Sequence, residues 1–321
     1  MSNSSTAPNP APTVGLDIGG TKVLGVLLDD DGKVAREVKL RSPDAGMDTL
    51  VATAAAIVED LSPGPIAVGV GAAGLVDPNG KLRYAPNLPH VREAPLREAL
   101  AAATNRPVIV DNDANVATIG EATCGAAVGA RDVLMVTLGT GIGGGMLFNG
   151  ELYRGANHFG GEFGHFTIDR DGPLCACGER GHWEAIASGS ALGRMARELV
   201  QLGRAEALIA AAGGDALAVT GVHVGLAAAA GDPEAIGLLT RYADNVALGL
   251  AGLSNILDPE RIVIAGGLVE LGPLLFNPLG EAFRRHVEGA DYRPPVAIVP
   301  AQLGERAGAV GAAVLARTIA G

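Results

Sequence analysis

The chain is poor in cysteine: 321 residues carry only three, and two of them, Cys175 and Cys177, stand two apart. Three thiols, two of them so close, make no disulfide framework; they fit a metal site in a reducing compartment, with the cytoplasm expected. Positive charge is also short, since 24 Lys and Arg face 35 Asp and Glu for a net charge of −11. A field of that sign repels nucleic acid and anionic membranes, so neither partner is expected and a phosphate ligand must be held locally. No apolar run reaches membrane-spanning length; the nearest, residues 246–257, contains Ser254 and Asn255 and suits a buried helix. Residues 1–12 lack both a basic start and an apolar centre, which excludes a secretory signal and leaves a disordered tail. The GxxxxGK[ST] spacing of a Walker A loop is missing as well.

What the chain does have is apolar material, 48% of its residues, enough for one large core or two modest ones. From residue 13 the pattern predicts three antiparallel strands, 14–18, 23–28 and 34–40, separated by turns at Gly19-Gly20 and at Asp29-Asp30-Asp31-Gly32. Helix 47–61, strand 66–71, helix 93–103, strand 108–110 and helix 114–123 follow, so this part is α/β. The opening then repeats: strand 133–138, a glycine turn over 139–145, strand 145–148, the turn Asn149-Gly150 and a short strand at 151–153. Such an echo predicts two related lobes facing one cleft. Strand 261–264, a turn at Gly266-Gly267, strand 296–299 and a closing helix 307–319 that returns to the first lobe complete the pattern. The lobes are expected at 13–120 with 307–321, and at 121–306.

Several motifs carry chemistry. In Asp17-Ile18-Gly19-Gly20-Thr21-Lys22, glycine lets backbone N–H groups approach phosphate oxygens, Thr21 and Lys22 add donors, and Asp17 suits a metal-bound water. By itself the hexapeptide is equally an ordinary hairpin. Gly139-Thr140-Gly141-Ile142-Gly143-Gly144 satisfies GxGxxG, but a strand rather than a helix follows it, so it reads as a second phosphate loop and not a dinucleotide fingerprint. Gly266-Gly267 is a weaker candidate for close approach of an adenosine. In Asp111-Asn112-Asp113-Ala114-Asn115 one aspartate is expected to cap the helix, and the other carboxylate, with a neighbouring amide at the carboxyl end of a strand, suits a general base that orients a hydroxyl nucleophile. With two phosphate loops and Mg²⁺, such a base suffices for phosphoryl transfer. His165, Cys175, Cys177 and His182 lie within eighteen residues and make a Cys₂His₂ set, a closed structural zinc site with no open position for an activated water. Glu162 and Glu184 flank those ligands.

Together these residues resemble the ROK family of sugar kinases and repressors, over nearly the whole chain. The matching pieces, in order, are Asp17 to Lys22, Ala85-Pro86-Asn87-Leu88, Asn112-Asp113-Ala114-Asn115, Leu138 to Gly145, Gly161-Glu162-Phe163-Gly164-His165 and Cys175-Ala176-Cys177-Gly178. The resemblance implies a duplicated actin-like ATPase fold of the ribonuclease H-like kind, two lobes around a central cleft. It implies ATP-dependent phosphorylation of a hexose with Asp113 as base and Asn87, Asn112, Glu162, His165 and Glu184 around the sugar. His165 would serve both zinc and sugar, and the protein is expected as a homodimer or homotetramer. Glucose is the first expectation, with mannose, N-acetylmannosamine and fructose as rivals, and polyphosphate is an alternative donor. In one departure, His182 stands where the family has a third cysteine, making the site formally neutral. A repressor would carry a helix-turn-helix ahead of the first strand, for which a dozen residues are too few; a non-catalytic sugar sensor stays open.

Overall fold

The structure, a computed structural model, describes residues 11–85, 88 and 90–320; Asn87 and residues 1–10 of the expected tail lie outside the described residues. The first half runs β1 (Thr13–Ile18), β2 (Lys22–Leu28), β3 (Val34–Arg41), α1 (Met47–Leu61), β4 (Ala67–Ala72), a small hairpin of β5 (Leu75–Val76) and β6 (Leu82–Tyr84), α2 (Leu96–Thr104), β7 (Val108–Asn112) and α3 (Asp113–Cys124). The second runs β8 (Val133–Leu138), β9 (Ile142–Phe148), β10 (Glu151–Leu152), α4 (Trp183–Ala187), α5 (Gly189–Gln201), α6 (Glu206–Ala211), α7 (Gly221–Ala229), α8 (Pro233–Leu257), β11 (Arg261–Ala265), α9 (Pro273–His286), β12 (Ala297–Pro300) and α10 (Ala307–Ala316). The sheet orders are β3-β2-β1-β4-β7 and β10-β9-β8-β11-β12, the same path twice. Each begins with an antiparallel meander and ends with two strands parallel to its first.

Local sequence explains these elements. β1 is buried along nearly its whole length, whereas the edge strand β3 reads VAREVKLR and is exposed, its charges guarding an open edge. α1 buries Leu50, Val51, Ala54, Ile57, Val58 and Leu61, the spacing of one helical face. α8 starts where the Asp232 carboxylate accepts the Ala235 N–H at 2.8 Å, with Pro233 in the first turn. No helix among the described residues is long and apolar enough to cross a membrane.

The glycine run departs from expectation. The turn is confined to residues 139–141 and β9 already begins at Ile142, so Gly143, Gly144 and Gly145 are strand residues. They are glycines because other segments press on the strand: a Cβ at Gly144 would lie 2.1 Å from the Phe163 ring, and one at Gly145 2.2 Å from Thr118 Oγ1. The helix expected from residue 93 starts at Leu96, since Ala94 is bound by backbone bonds to Leu82.

α10 lies on the first sheet, where Gly15 and Gly69 leave no room for a side chain; a Cβ there would meet Ala309 O at 1.9 Å and Ala312 O at 1.8 Å. α3 and α10, the helices that follow the last strand of each sheet, cross at Gly120 and Gly311 with equally close backbones. Both cores therefore meet at this crossing, and the carboxyl ends of both sheets open on the space above it.

Candidate active site

A cleft of about 650 Å³ lies between the carboxyl ends of the two sheets. From the first sheet it takes Asp17 at the end of β1, Lys22, and Asn112 and Asp113 at the junction of β7 and α3. From the second it takes Gly139, Thr140 and Gly141 of the second glycine turn, Gly143 of β9, Gly266 after β11, and Glu162, His165 and Glu184. Most of the site residues expected from sequence thus meet in one place, at the position where α/β sheets present ligands. Gly20 and Thr21 instead line a smaller pocket of about 380 Å³ with Arg41, Ser42 and His90. Gly19 and Gly267 line neither pocket.

The helix cap differs from expectation. Neither aspartate caps α3: Asn112 does, its Oδ1 accepting from Ala114 N at 2.8 Å and Asn115 N at 3.1 Å, while its Nδ2 donates to Gly74 O at 3.0 Å. Residue 112 has extended backbone immediately before the helix, the position from which a short polar side chain meets the first free N–H groups. Asp113 is left at the first helical position, facing the cleft.

Electrostatics single out the same residue. Burial pushes the Asp113 carboxyl up to about 7, the charge of Asp17 adds to this, the Ala114 N–H at 2.9 Å opposes it, and Glu162 raises it further. Burial likewise pushes Asp17 up to about 6 against the pull of Lys22. Glu162 is raised by burial, opposed by His165, with the Glu184 charge adding. A carboxyl that ionises near neutrality is what a general base requires.

Glu184 holds the second glycine turn: its Oε2 accepts the Ile142 N–H at 2.8 Å and fills the space a Cβ at Gly141 would need. The turn therefore depends on a side chain 42 residues later in the chain. Sequence reasoning missed Thr137, whose hydroxyl accepts Gly143 N–H at 3.0 Å, and the Gly304-Glu305 wall. Glu305 binds Lys22 at 2.6 Å and Lys39 at 2.9 Å, and both cations hold its carboxyl low. Gly308 in α10 stands against Asp17, where a Cβ would lie 2.8 Å from the carboxyl carbon. No spacing rule marks Glu305 and Gly308; only the return of the chain through α10 brings them here.

Beside Glu162 and Glu184, His165, Cys175, Cys177 and His182 bring one donor atom each to within 4.8 Å of one another. His165 Nδ1 and His182 Nδ1 are 3.4 Å apart, Cys177 Sγ and His182 Nδ1 3.2 Å, and Cys175 Sγ and His165 Nδ1 4.0 Å. Ligands at zinc distances occupy tetrahedron corners about 3.3–3.8 Å apart, so the set fits. Burial holds the Cys175 thiol up at about 11, a cost that a divalent cation would reverse by taking the thiolate. Both imidazoles turn Nδ1 to this cluster, which leaves His165 Nε2 on the cleft side, 3.9 Å from Glu162 Oε2. The segment is anchored by Trp183, fully buried, whose Nε1 donates to Asn245 O at 3.1 Å. Gly249 of α8 makes room for its ring.

Known proteins match this architecture. Residues 13–319 match the ROK family. A glucokinase of Streptomyces coelicolor is 40% identical over 312 residues, covering 95% of this chain and 97% of its own. A glucokinase of Thermotoga maritima is 35% identical over 309 residues, covering 94% and 95%. Among solved structures, a ROK family glucokinase from Streptomyces griseus in complex with glucose and AMPPNP superposes with a TM-score of 0.85 at 38% identity, over 96% of this chain and 100% of that one. With its doubled sheets, glycine turns and Cys/His cluster in one continuous match, this chain belongs to the ROK family and has its two-lobed, actin-like fold.

Proposed function

We propose that the chain is an ATP-dependent hexokinase, with glucose as its first substrate, working in a reducing cytoplasm. The observation that carries the reading is Asp113 at the start of α3, its carboxyl pushed up to about 7, in a cleft with glycine turns on one side and Glu162, His165 and Glu184 on the other. Identity of 40% to a glucokinase over 95% of the chain supports glucose over other hexoses.

In this reading Asp113 accepts the proton of the sugar's primary hydroxyl as that oxygen attacks the terminal phosphorus of ATP. The bond from phosphorus to the bridging oxygen breaks, and hexose 6-phosphate and ADP leave. Glu162, His165 Nε2 and Asn112, with Asn87, orient the sugar; Glu184 shapes the glycine turn as well as the pocket. The cleft-lining parts of the two turns, Asp17 and Lys22 on one side and 139–143 on the other, receive the nucleotide together with Gly266. Asp17, Asp113, Glu162, Glu184 and Glu305 line the cleft against the single cation Lys22 among the described lining residues, so bare polyphosphate would be repelled. A magnesium ion bound with the nucleotide offsets that charge, and the buried Asp17 carboxylate suits its water shell. A zinc ion fits the Cys₂His₂ set, where it would hold the 165–182 segment and fix the His165 tautomer so that Nε2 faces the sugar. The lobes of this enzyme are residues 13–120 with 307–321, and 121–306, which would close on the sugar.

A coupled assay of ADP release over glucose, mannose, N-acetylmannosamine and fructose, with ATP and then polyphosphate as donor, tests the proposal. Turnover fastest with glucose and ATP is expected; no turnover with any hexose would defeat it. Glucose binding that survives Asp113→Ala without any loss of function would instead identify a sugar sensor.

A further inference from the structure

Asp111, which caps nothing, is engaged across the molecule. Arg154, just past β10 on the second sheet, donates from Nε to Asp111 Oδ2 at 2.6 Å at the end of β7 on the first. The Asp111 side chain is 5% exposed and that of Arg154 25%, so the pair is largely shielded from water. Asp111 Oδ1 accepts from Asn112 N at 2.7 Å and Asn115 Nδ2 at 2.8 Å. One carboxylate thus grips both the backbone beside Asp113 and the first turn of α3.

The main chain of Arg154 is tied in the other direction. Its carbonyl accepts Gly160 N–H at 2.9 Å, and the next residue, Gly161, with φ of 94°, lies against β9, where a Cβ would meet Gly144 O at 2.6 Å. Glu162 follows immediately. Arg154 therefore links the strand end that carries Asp113 to the segment that carries Glu162, on opposite halves of the cleft.

We propose that the Asp111–Arg154 ion pair is a positioning device for the hexose, setting the separation of Asp113 and Glu162 across the two lobes. The inference rests on the hexose reading of the cleft. An ion pair that served only folding would behave differently: losing one partner strands a buried charge, whereas replacing both with uncharged groups of similar volume is often neutral. A positioning pair is not restored by the double replacement, because the link itself is gone.

The test compares Arg154→Met, Arg154→Lys and the double variant Asp111→Asn/Arg154→Met in the full chain, by thermal midpoint, glucose titration without nucleotide, and KM for glucose and ATP. The double variant is expected to recover most of the midpoint lost in Arg154→Met, yet to bind glucose at least fivefold more weakly than the parent while its KM for ATP changes less than twofold. Arg154→Lys, which keeps the charge but not the reach, falls between. A double variant whose glucose affinity stays within fivefold of the parent, or whose KM for ATP rises in step with that for glucose, overturns the proposal. If the parent phosphorylates no hexose, the functional reading fails first and the brace falls with it.

Discussion

Replacing Asp113 by Asn is expected to make the protein more stable and nearly inactive at once. The carboxyl is raised from 3.8 to about 7, chiefly by burial. A tenfold change in proton affinity corresponds to about 1.4 kcal/mol, so a rise of about three decades gives about 4 kcal/mol, which the solvent-open cleft reduces to about 2–4 kcal/mol. Between about pH 4 and 7 the native state holds a proton that the unfolded chain has released, so stability falls as pH rises through that window and stays low above it. An asparagine at this position cannot ionise and escapes the fall. At pH 8 in the absence of ligands, the thermal midpoint of Asp113→Asn should exceed the parent's by roughly 3–6 °C, a gap that closes towards pH 4. Its kcat should drop by about 10²–10⁴ with glucose affinity changed only a few-fold, since general-base catalysis contributes on that scale. The parent's kcat/KM should lose about a factor of ten per pH unit below about 7, because the ionised base is the active form. A variant less stable than the parent at pH 8, or one keeping more than a tenth of its kcat, would refute the argument.

Zinc analysis of protein purified without chelator should find one equivalent per chain, lost on His182→Ala and retained on His182→Cys, which keeps a donor at that corner of the tetrahedron. Gly144→Ala forces a methyl group to within 2.1 Å of the Phe163 ring, so it should cost about 1–3 kcal/mol and raise KM for glucose more than KM for ATP. Gly311→Ala would set a methyl 1.6 Å from Val116 O, with backbone on both sides at the α3/α10 crossing, so urea denaturation should show a loss of about 3 kcal/mol or more.

Much of the cleft was legible because its residues are local. Asp17 and Lys22, Asn112 and Asp113, and the Cys/His set each sit in a short motif at the end of a strand or in one loop, where chemistry depends on near neighbours in the chain. The repeat of strand, glycine turn and strand foretold the doubled sheets for the same reason: alternation and turn residues act over a few positions. Gly143 to Gly145 misled, since a glycine needed for a turn and a glycine needed for close packing look alike until Thr118 and Phe163 arrive from elsewhere in the chain. The N-cap was misassigned because the backbone position at which the helix starts, not residue type, chose Asn112 over its neighbours.

From its own order of residues, then, the chain determines which strands form, which turns carry exposed amides and which side chains are chemically able to move a proton or hold a metal. Only the folded arrangement decides that Asp111 pairs with Arg154, that Glu184 rather than solvent meets the Ile142 amide, and that Glu305 engages Lys22 from 283 residues away. Those outcomes depend on how two sheets and their crossing helices are oriented, and such long-range contacts leave no periodicity for a sequence to display.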